Sequence, residues 1–357
     1  MSKKWYDTFY TYIWVFNTGR GLAVCIRFPH NVGILYDLGK DEAFSPTDFI
    51  TENIAPKLQS YNKCKIAQCV LSHPHRDHIA EIEKLSKNGT ETSPLYPSLI
   101  TCPHDKVENE SLDFARIINE DNKDLINTYR ECYMKRTPPL QTIQSLLPCN
   151  VPNVEYGLYY MVPPVVSSIH PSSNQDYGNG ISILLYLRHG NQTLLLTGDV
   201  TPDVLRRILE CDTSIERRYT SFSGSLKSDS DWHERTSNQP KLKDLLKDRG
   251  LSVLVAPHHG LESGFCPELF AAIKDGKPMI SVISEKRHLS DNDGQVDLRY
   301  QDINGAFGIN VDIEGKNEQR YSVSTRDGHH VLIIFRGTDM VPHIFLRKNP
   351  MQLLNIA

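Results

Sequence analysis

The sequence predicts an α/β fold whose polar residues gather where strands end. Apolar runs of strand length recur along the chain, among them Lys65–Leu71, Thr193–Asp199 and Leu251–Gly260. A segment with apolar residues at helical spacing, Ile79–Leu85, follows the first of them. His or Asp residues stand at the end of each run or directly after it. Loops of this kind are where α/β proteins build their sites.

Strand and turn signals dominate the first part of the chain. Asn17–Gly21 is a hairpin signal between two apolar runs, and Asp37-Leu38-Gly39 ends a third run, where we interpret it as a structural strand cap. Ser45-Pro46 is a typical helix start. The predicted elements are the strands Tyr10–Phe16, Leu22–Phe28 and Val32–Leu38, a helix over Thr47–Leu58 and a short strand Ser98–Thr101.

A second set of strands is predicted in the rest of the chain, with helices between them. Pro163-Pro164 should end the first of these strands. The predicted strands are Tyr156–Val162, Ile181–Arg188, Gln192–Thr197, Met279–Ile283, Val331–Phe335 and its partner Val341–Leu346, and the predicted helices are Pro202–Cys211, Leu242–Lys247 and Glu268–Ile273.

The composition is that of a globular protein with a sizeable core. The chain has 357 residues, of which 39% are hydrophobic and 23% charged, enough for one large or two modest domains. Its formal net charge of −4 supplies no overall positive field that would draw it onto nucleic acid or membranes. This counts against a processive nucleic-acid binder, although it is compatible with local basic patches.

Cysteine usage and the N-terminus favour a cytoplasmic protein. None of the eight cysteines forms a CxxC pair, and several stand in apolar contexts, which predicts buried thiols rather than a disulfide framework. The basic start of the chain is followed by polar residues, so we predict no signal peptide. No apolar run approaches the length of a membrane span, and we expect no membrane interaction.

The densest polar cluster is Ser72-His73-Pro74-His75-Arg76-Asp77-His78. Residues two apart point the same way in extended chain, so His73 and His75 can reach one metal ion together. Asp77 and His78 stand at the helix entry, where they can address a second ion. Three imidazoles and a carboxylate in six positions have no use in a solvated loop, and burying them without partners would be costly. The cluster therefore predicts a metal site.

Two later segments are candidates for the remaining ligands. Gly198 allows a tight turn after a strand, and Asp199 then projects from the strand end, where its carboxylate could bridge two ions. His258 and His259 follow another buried strand. The alternatives are a helix N-cap for Asp199, ahead of Thr201-Pro202, and a chance pairing of the two His. Three polar strand ends in one chain disfavour both alternatives.

These motifs resemble the metallo-β-lactamase fold superfamily and, within it, the ComEC-like hydrolase domains of competence DNA-uptake proteins and their soluble relatives. The resemblance rests on Leu71–Ile79, Asn179–Ser182, Leu196–Asp199 and Pro257–Gly260, within the region from about Tyr10 to Val282. It implies a four-layer αββα sandwich with inserted helical and loop segments. It also implies as metal ligands His73, His75, Asp77, His78, Asp199 and one of His258 and His259. The chain departs from the family at Ile79-Ala80, where a pair of glycines is usual.

The resemblance also suggests the other site residues. His170 is the candidate for the third ligand of the first ion, and Asn179 is the alternative. His258 is preferred over His259 as a ligand, because it is nearer the strand end. His259 is then expected to face substrate and, with Asp77, to act in catalysis. The candidate substrate-binding residues are Asn179, Ser263, Lys286 and His288.

One domain spanning residues 1–357 is expected, with three segments that have no obvious counterpart in the family. Residues 104–150 are predicted to be a helical insertion, with a merely solvated helix as the alternative. Residues 212–250 are a predicted lid, and residues 285–330 a variable segment. These segments are expected to decide the substrate.

The predicted function is metal-dependent hydrolysis, with two divalent ions, zinc or manganese, activating a water molecule. The resemblance favours a phosphodiester in DNA or RNA as substrate. Two metal ions suit lactone or small-molecule phosphodiester cleavage equally, so such an enzyme is the first alternative. The second is an inactive metal-binding protein that serves interactions. The oligomeric state is left open.

Overall fold

The computed structural model describes residues 9–60, 64–86, 95–105, 111–134, 154–210, 217–221 (backbone only), 241–285, 295–301 and 308–357. Strands in these residues form two mixed sheets. The strands are β1 Thr11–Val15, β2 Ala23–Phe28, β3 Val32–Leu38, β4 Ile66–Val70, β5 Pro97–Thr101, β6 Val154–Met161, β7 Leu184–His189, β8 Gln192–Leu196, β9 Arg217–Ser221, β10 Val253–Val255, β11 Ile280–Ile283, β12 Ile309–Ile313, β13 Lys316–Arg320, β14 Ser322–Ser324, β15 His330–Phe335 and β16 His343–Arg347.

Short helices connect these strands. The α-helices of the described residues are α1 Pro46–Phe49, α2 Arg76–Ile79, α3 Glu83–Ser86, α4 Lys123–Met134, α5 Pro163–Ile169, α6 Asn174–Gly180, α7 Pro202–Glu210, α8 Leu242–Arg249, α9 Pro267–Ala272 and α10 Pro350–Ile356. None of them has both the length and the apolar character that crossing a lipid bilayer requires.

Parallel strands bring the loops that carry the predicted site residues to the same edge of each sheet. The first sheet has the order β13-β12-β16-β15-β1-β2-β3-β4-β5, in which β3, β4 and β5 run parallel. The second has the order β14-β11-β10-β8-β7-β6-β9, in which β8, β10, β11 and β14 run parallel. Because carboxyl ends of parallel strands meet at one edge, the loops after β3 and β4, and those after β8 and β10, become neighbours.

The two sheets pack face to face, with helices on their outer faces. Along β1, Ile13 and Val15 enter a hydrophobic cluster that joins strands of both sheets, whereas Tyr12 and Trp14 enter the cluster that contains the helices. This alternation follows from the two-residue period of a strand. The protein is therefore a mixed α/β sandwich, which confirms the predicted α/β class.

Most predicted strands are present with their ends shifted by at most three residues, and β3 has the predicted bounds. The predicted partner of the strand near Val331 exists as β16, which pairs antiparallel with β15. The predicted helix over Thr47–Leu58 is less regular than expected. It begins with α1, capped by the Ser45 side chain, and continues as a π-helical turn Ile50–Ile54 and a 3-10 turn Ala55–Lys57.

The segment after β6 differs from the prediction. Pro163-Pro164 does end the strand, but the same residues form the first turn of α5, where proline's fixed φ suits a helix. His170 therefore directly follows a helix. Strand β9, strands β12 to β14 and helix α10 were not predicted.

Parts of the three predicted segments lie outside the described residues. Of the predicted insertion, α4 buries Ile126 and Tyr129 completely, so this helix belongs to the apolar core and is not a merely solvated one. Of the predicted lid, the structure describes β9 and α8, and Leu242 and Leu246 of α8 are buried. The single-domain, insertion and lid assignments stay predictions.

Candidate metal centre

The predicted polar clusters meet across the two sheets. Ile183 N–H, just before β7, donates to Ser72 O at 3.0 Å, and His258 N–H donates to Gly198 O at 3.1 Å. Gly198 has a φ of 54°, and a Cβ on it would lie 2.8 Å from the Cβ of Ser72. Only glycine fits this turn without strain, so Gly198 lets the loop after β8 approach the loop after β4.

Asp77, His78, Asp199 and His259 form the centre of this region, because one ligating atom from each lies within 4.8 Å of all the others. His78 Nε2 is 3.2 Å from Asp199 Oδ1. His259 Nε2 is 3.3 Å from Asp77 Oδ2 and 3.4 Å from Asp199 Oδ2. Asp77 is partly exposed and the other three are buried. Two carboxylates and two imidazoles form a set of ligands that could bind a divalent metal ion.

The other two histidines of the motif adjoin this cluster. The ring centroids of His73 and His78 are 4.3 Å apart, and those of His73 and His75 are 4.6 Å apart. His73 is fully buried, and His75 is partly exposed. The structure therefore brings together five of the predicted ligands, His73, His75, Asp77, His78 and Asp199, as well as His259.

Hydrogen bonds assign protons within the motif. The Asp37 carboxylate accepts from Ser72 N–H at 2.6 Å and from Ser72 Oγ–H at 2.7 Å, and it lies 2.7 Å from His78 Nδ1. His73 Nδ1 lies 3.0 Å from Ser72 Oγ, which accepts its proton because the hydroxyl hydrogen is given to Asp37. Both imidazoles thus carry their proton on Nδ1 and turn an unprotonated Nε2 away from Asp37 when neutral.

Several buried polar atoms of this region have no hydrogen-bond partner within the described part of the chain. They are His73 Nε2, His78 Nε2, His259 Nε2 and Asn179 Oδ1. His78 Nε2 and His259 Nε2 nevertheless lie within ion-pair distance of the Asp77 and Asp199 carboxylates. An unmade hydrogen bond at a buried polar atom costs about 1–3 kcal/mol. Buried imidazole nitrogens beside two carboxylates fit a site that binds a metal ion.

The electrostatics separate the imidazoles into two groups. Burial opposes protonation of His259, but Asp199 and Asp77 outweigh it and raise its pKa to about 9. Burial also opposes protonation of His78, whose pKa is nevertheless raised by Asp199, Asp37 and Asp77. By contrast, burial lowers the pKa of His73 and of His75. The first two imidazoles therefore balance the carboxylates as cations, and the other two are neutral.

The second imidazole of the His258-His259 pair, rather than the first, enters the four-residue cluster. Both residues have positive φ, 48° and 57°, within the turn Pro257–Gly260. This turn directs His259 back between Asp77 and Asp199, whereas His258 Nδ1 contacts Ser263 Oγ at 3.0 Å. The sequence alone favoured His258, because it is nearer the strand end. In a turn with positive φ, that nearness does not determine which way a side chain points.

His170 and Asn179, the two candidates for a further ligand, occupy different positions. His170 follows α5, and its Nε2 lies 2.9 Å from Thr201 Oγ1, outside the cluster. Asn179 is buried at the end of α6. The preceding Gly178 is packed against His75, since a Cβ on it would lie 2.4 Å from His75 Nε2. Asn179 is thus the candidate of the two that lies beside the histidine motif.

The remaining predicted substrate residues are Ser263, Lys286 and His288. Ser263 is next to the centre through its contact with His258. Lys286 and His288 lie outside the described residues, so their roles stay predictions. Sequence reasoning gave Asp37 only a structural role, although it orients two of the motif histidines. The Asp-x-Gly ending of a strand was the available signal for this residue.

Comparisons with known proteins add no identification: no protein-family model matches the chain, and no curated protein matches it either. The fold and the site define an α/β protein with a candidate metal-binding cluster.

Proposed function

We propose that this protein is a metal-dependent hydrolase that cleaves phosphodiester bonds in DNA or RNA. The observation that carries the proposal is the four-residue cluster of Asp77, His78, Asp199 and His259, joined by the imidazoles of His73 and His75. Among the described residues, the buried Nε2 of His73 has no hydrogen-bond partner, and those of His78 and His259 have only the carboxylates of Asp77 and Asp199 within ion-pair distance. Ligands left in this state are typical of a metal centre.

The architecture supports a more specific assignment, the four-layer αββα fold of the metallo-β-lactamase superfamily. Two mixed sheets share an apolar core, helices cover their outer faces, and the motif loops after β4, β8 and β10 converge. This is the arrangement that the motif resemblance implies. The proposal of a ComEC-like nuclease within that superfamily rests on the motifs alone.

Two divalent ions, zinc or manganese, are the proposed cofactors. His73 and His75 would hold one ion, with the Asn179 amide oxygen as a further ligand. Asp77, His78 and His259 would hold the other, and Asp199 would contribute to both. When bound, such ions lower the pKa of a water molecule and neutralise the charge on a phosphate oxygen.

The protein's own residues would orient these ligands and move the proton. Asp37 holds the Nδ1 proton of His78, which keeps Nε2 available to the centre. The Asp77 side chain is 36% exposed and lies 3.3 Å from His259 Nε2, so it is the carboxylate that solvent and substrate reach. We propose that Asp77 accepts the proton of the attacking water. Asp77 would then pass that proton to the leaving oxygen.

The substrate assignment depends on groups at the open side of the centre. Arg76 is exposed between His75 and Asp77, where its guanidinium can contact a phosphate. Ser263 lies beside His258 at the other side. Neither contact distinguishes a nucleic acid from a small phosphodiester, and the same centre suits a lactone. The substrate assay must therefore include all three classes.

The decisive experiment is a substrate screen on metal-depleted protein to which Mn²⁺ or Zn²⁺ is added back. Labelled single- and double-stranded DNA and RNA, a chromogenic phosphate bis-ester and a chromogenic lactone are incubated with wild type, His75→Ala and Asp199→Asn. His343→Ala and Asp203→Asn are the matched controls, because they change the same residue types away from the cluster.

Metal-dependent cleavage of nucleic acid that only the two site variants lose would support the proposal. Turnover of the bis-ester or lactone alone would assign a small-molecule hydrolase. Bound ions without any turnover would indicate a binding protein. Nucleic-acid cleavage that persists in Asp199→Asn would contradict the proposed centre.

A further inference from the structure

Arg116 links two helices that approach the candidate centre. Its guanidinium donates to Ser167 Oγ at 3.0 Å and to the carbonyl oxygens of His170 at 2.6 Å and Ser173 at 3.0 Å. Its Nε–H donates to Asn174 Oδ1 at 3.1 Å. One side chain thus joins the end of α5, the connection and the start of α6.

The same guanidinium lies over an aromatic ring of α6. Its central carbon lies 4.2 Å from the Tyr177 ring centroid. Tyr177 Oη also accepts the Asp113 N–H at 2.9 Å, from the same 3-10 turn that carries Arg116. A planar guanidinium can stack and donate several hydrogen bonds at once, which a lysine ammonium cannot do.

The turn that carries Arg116 is itself fixed to the core. Phe114 is buried and packs edge-on against Tyr129 of α4, with ring centroids 6.4 Å apart. Because Tyr129 is fully buried, Arg116 projects from a rigid support. It therefore connects α6 to the core.

Helix α6 in turn contacts the His73 and His75 side of the centre. Gly178 packs against His75 Nε2, and the Asn179 amide oxygen is buried without a partner among the described residues. Just beyond the helix, Ser182 Oγ lies 3.3 Å from His73 Nδ1. A shift of α6 would therefore change the surroundings of both imidazoles.

The geometry points to Arg116 as a positioning residue that holds α6 against His75 and presents Asn179 to the ion bound by His73 and His75. This inference rests on the proposed two-ion function. The other ion would be held by groups that Arg116 does not support, since Asp37 orients His78, and the turn Pro257–Gly260 carries His259. Loss of Arg116 should then weaken the binding of one ion and leave the binding of the other unchanged.

The test uses Arg116→Ala in the full chain, with Arg130→Ala as the matched control. Arg130 also lies over an aromatic ring, at 4.9 Å from Phe114, but it bonds Asp105 rather than α6. Zinc binding is followed by calorimetric titration. In parallel, the metal-free proteins are treated with diethyl pyrocarbonate, and modification of His75 is measured by peptide mass spectrometry.

We expect Arg116→Ala to weaken one of the two zinc-binding events about tenfold, as for other outer residues of metal sites. His75 should be modified faster, because α6 no longer covers its Nε2, and added guanidinium ion should reverse both effects. Arg130→Ala should behave as wild type. Arg116→Lys keeps the charge but not the planar guanidinium. It should therefore change zinc affinity and His75 modification in the same direction as Arg116→Ala. It replaces Arg116→Ala in the test if that variant does not fold.

Wild-type zinc binding and wild-type His75 reactivity in Arg116→Ala would overturn the inference. Equal weakening of the binding of both ions would also overturn it, and so would the same loss of zinc affinity in Arg130→Ala. Either result would indicate general destabilisation. If wild-type protein binds no zinc, the proposed function fails instead. The modification rate of His75 then still decides whether Arg116 positions α6.

Discussion

Asp37 shows how one residue outside the ligand set can determine the state of the candidate centre. It is buried, has a φ of 57° and accepts hydrogen bonds from Ser72 and His78. A non-glycine residue in the left-handed region costs of order 1–3 kcal/mol and persists where its surroundings hold it. Here the strained backbone aims a carboxylate at His78 Nδ1.

We predict that Asp37→Asn weakens zinc binding by about 10- to 100-fold, the range typical of residues that orient metal ligands. The amide has one acceptor oxygen, so it cannot serve Ser72 and His78 as the carboxylate does. Calorimetric titration measures the effect. The control is Asp48→Asn, since Asp48 is exposed and pairs with Lys84. Unchanged affinity in Asp37→Asn would show that other contacts orient His78.

Metal binding should release protons, because two of the imidazoles are cationic without a metal ion. Asp199 and Asp77, acting against burial, raise the pKa of His259 to about 9, and the pKa of His78 is raised as well. Below these values both rings are protonated, whereas a ligand nitrogen must be unprotonated. Affinity should therefore fall as pH falls, by up to about tenfold per pH unit for each proton displaced.

Calorimetry at about pH 6 and about pH 8 in buffers of different ionisation enthalpy counts these protons directly. His259→Ala should release fewer protons than wild type, and the exposed-site variant His343→Ala should release as many. A proton count of zero for wild type would contradict the assigned charge states.

At the scale of elements, the close packing of α6 on the motif loop couples helix and site. Gly178 is buried, and a Cβ on it would lie 2.4 Å from Nε2 and 2.9 Å from Cε1 of His75. A contact of 2.4 Å is not compatible with the present positions of both groups. The absence of a side chain at Gly178 is therefore what lets α6 approach His75.

We predict that Gly178→Ala lowers metal affinity while leaving the helix as stable as before or more stable. Alanine favours a helix over glycine by about 0.5–1 kcal/mol, but its methyl group must displace His75 or α6. Metal titration and thermal unfolding separate the two effects. Gln175→Ala, an exposed change in the same helix, is the control. Equal metal binding in Gly178→Ala and wild type would mean that α6 moves freely.

At the scale of the whole molecule, two buried histidines make the stability of the fold depend on pH. His189 Nδ1 lies 3.0 Å from Thr11 Oγ1, and His330 Nδ1 accepts the Asn17 N–H at 3.2 Å. Burial lowers the pKa of His189 and of His330 from the ordinary 6.5 to about 4. Both rings are thus neutral in the folded protein at neutral pH.

The unfolded chain binds protons at these residues first as pH falls, so their contribution to stability is complete above about pH 6.5 and is lost between 6.5 and 4. Each imidazole should contribute on the order of 2–3 kcal/mol to this loss. Urea unfolding of wild type, His189→Gln and His330→Gln at about pH 7.5 and about pH 5 measures it. A pH dependence as steep in the variants as in wild type would refute this origin.

The sequence predicted many of the strands and most residues of the candidate site. Apolar runs identified β4, β8 and β10 because buried strands need continuous hydrophobic residues. The spacing of His73, His75, Asp77 and His78 indicated a metal site because no structural use accounts for it. Hydrophobic periodicity and ligand spacing are properties of short stretches of chain. The strands and the histidine motif could therefore be found without knowing any long-range contact.

The sequence could not determine which side chains face one another across the two sheets. His259 rather than His258 meets Asp77 because the turn after β10 is left-handed, and His170 points to Thr201 because Pro163 begins a helix. Asp37 lies 41 residues before His78 in the sequence, and Arg116 lies 62 residues before Gly178.

What the chain alone decided, then, is which residues could bind a metal ion, since ligand chemistry belongs to each side chain. Only the tertiary structure decided which of them meet, which nitrogen each imidazole presents and which helix holds them there. Direction and distance depend on the packing of both sheets and on turns with positive φ, and neither is encoded in a short stretch of sequence.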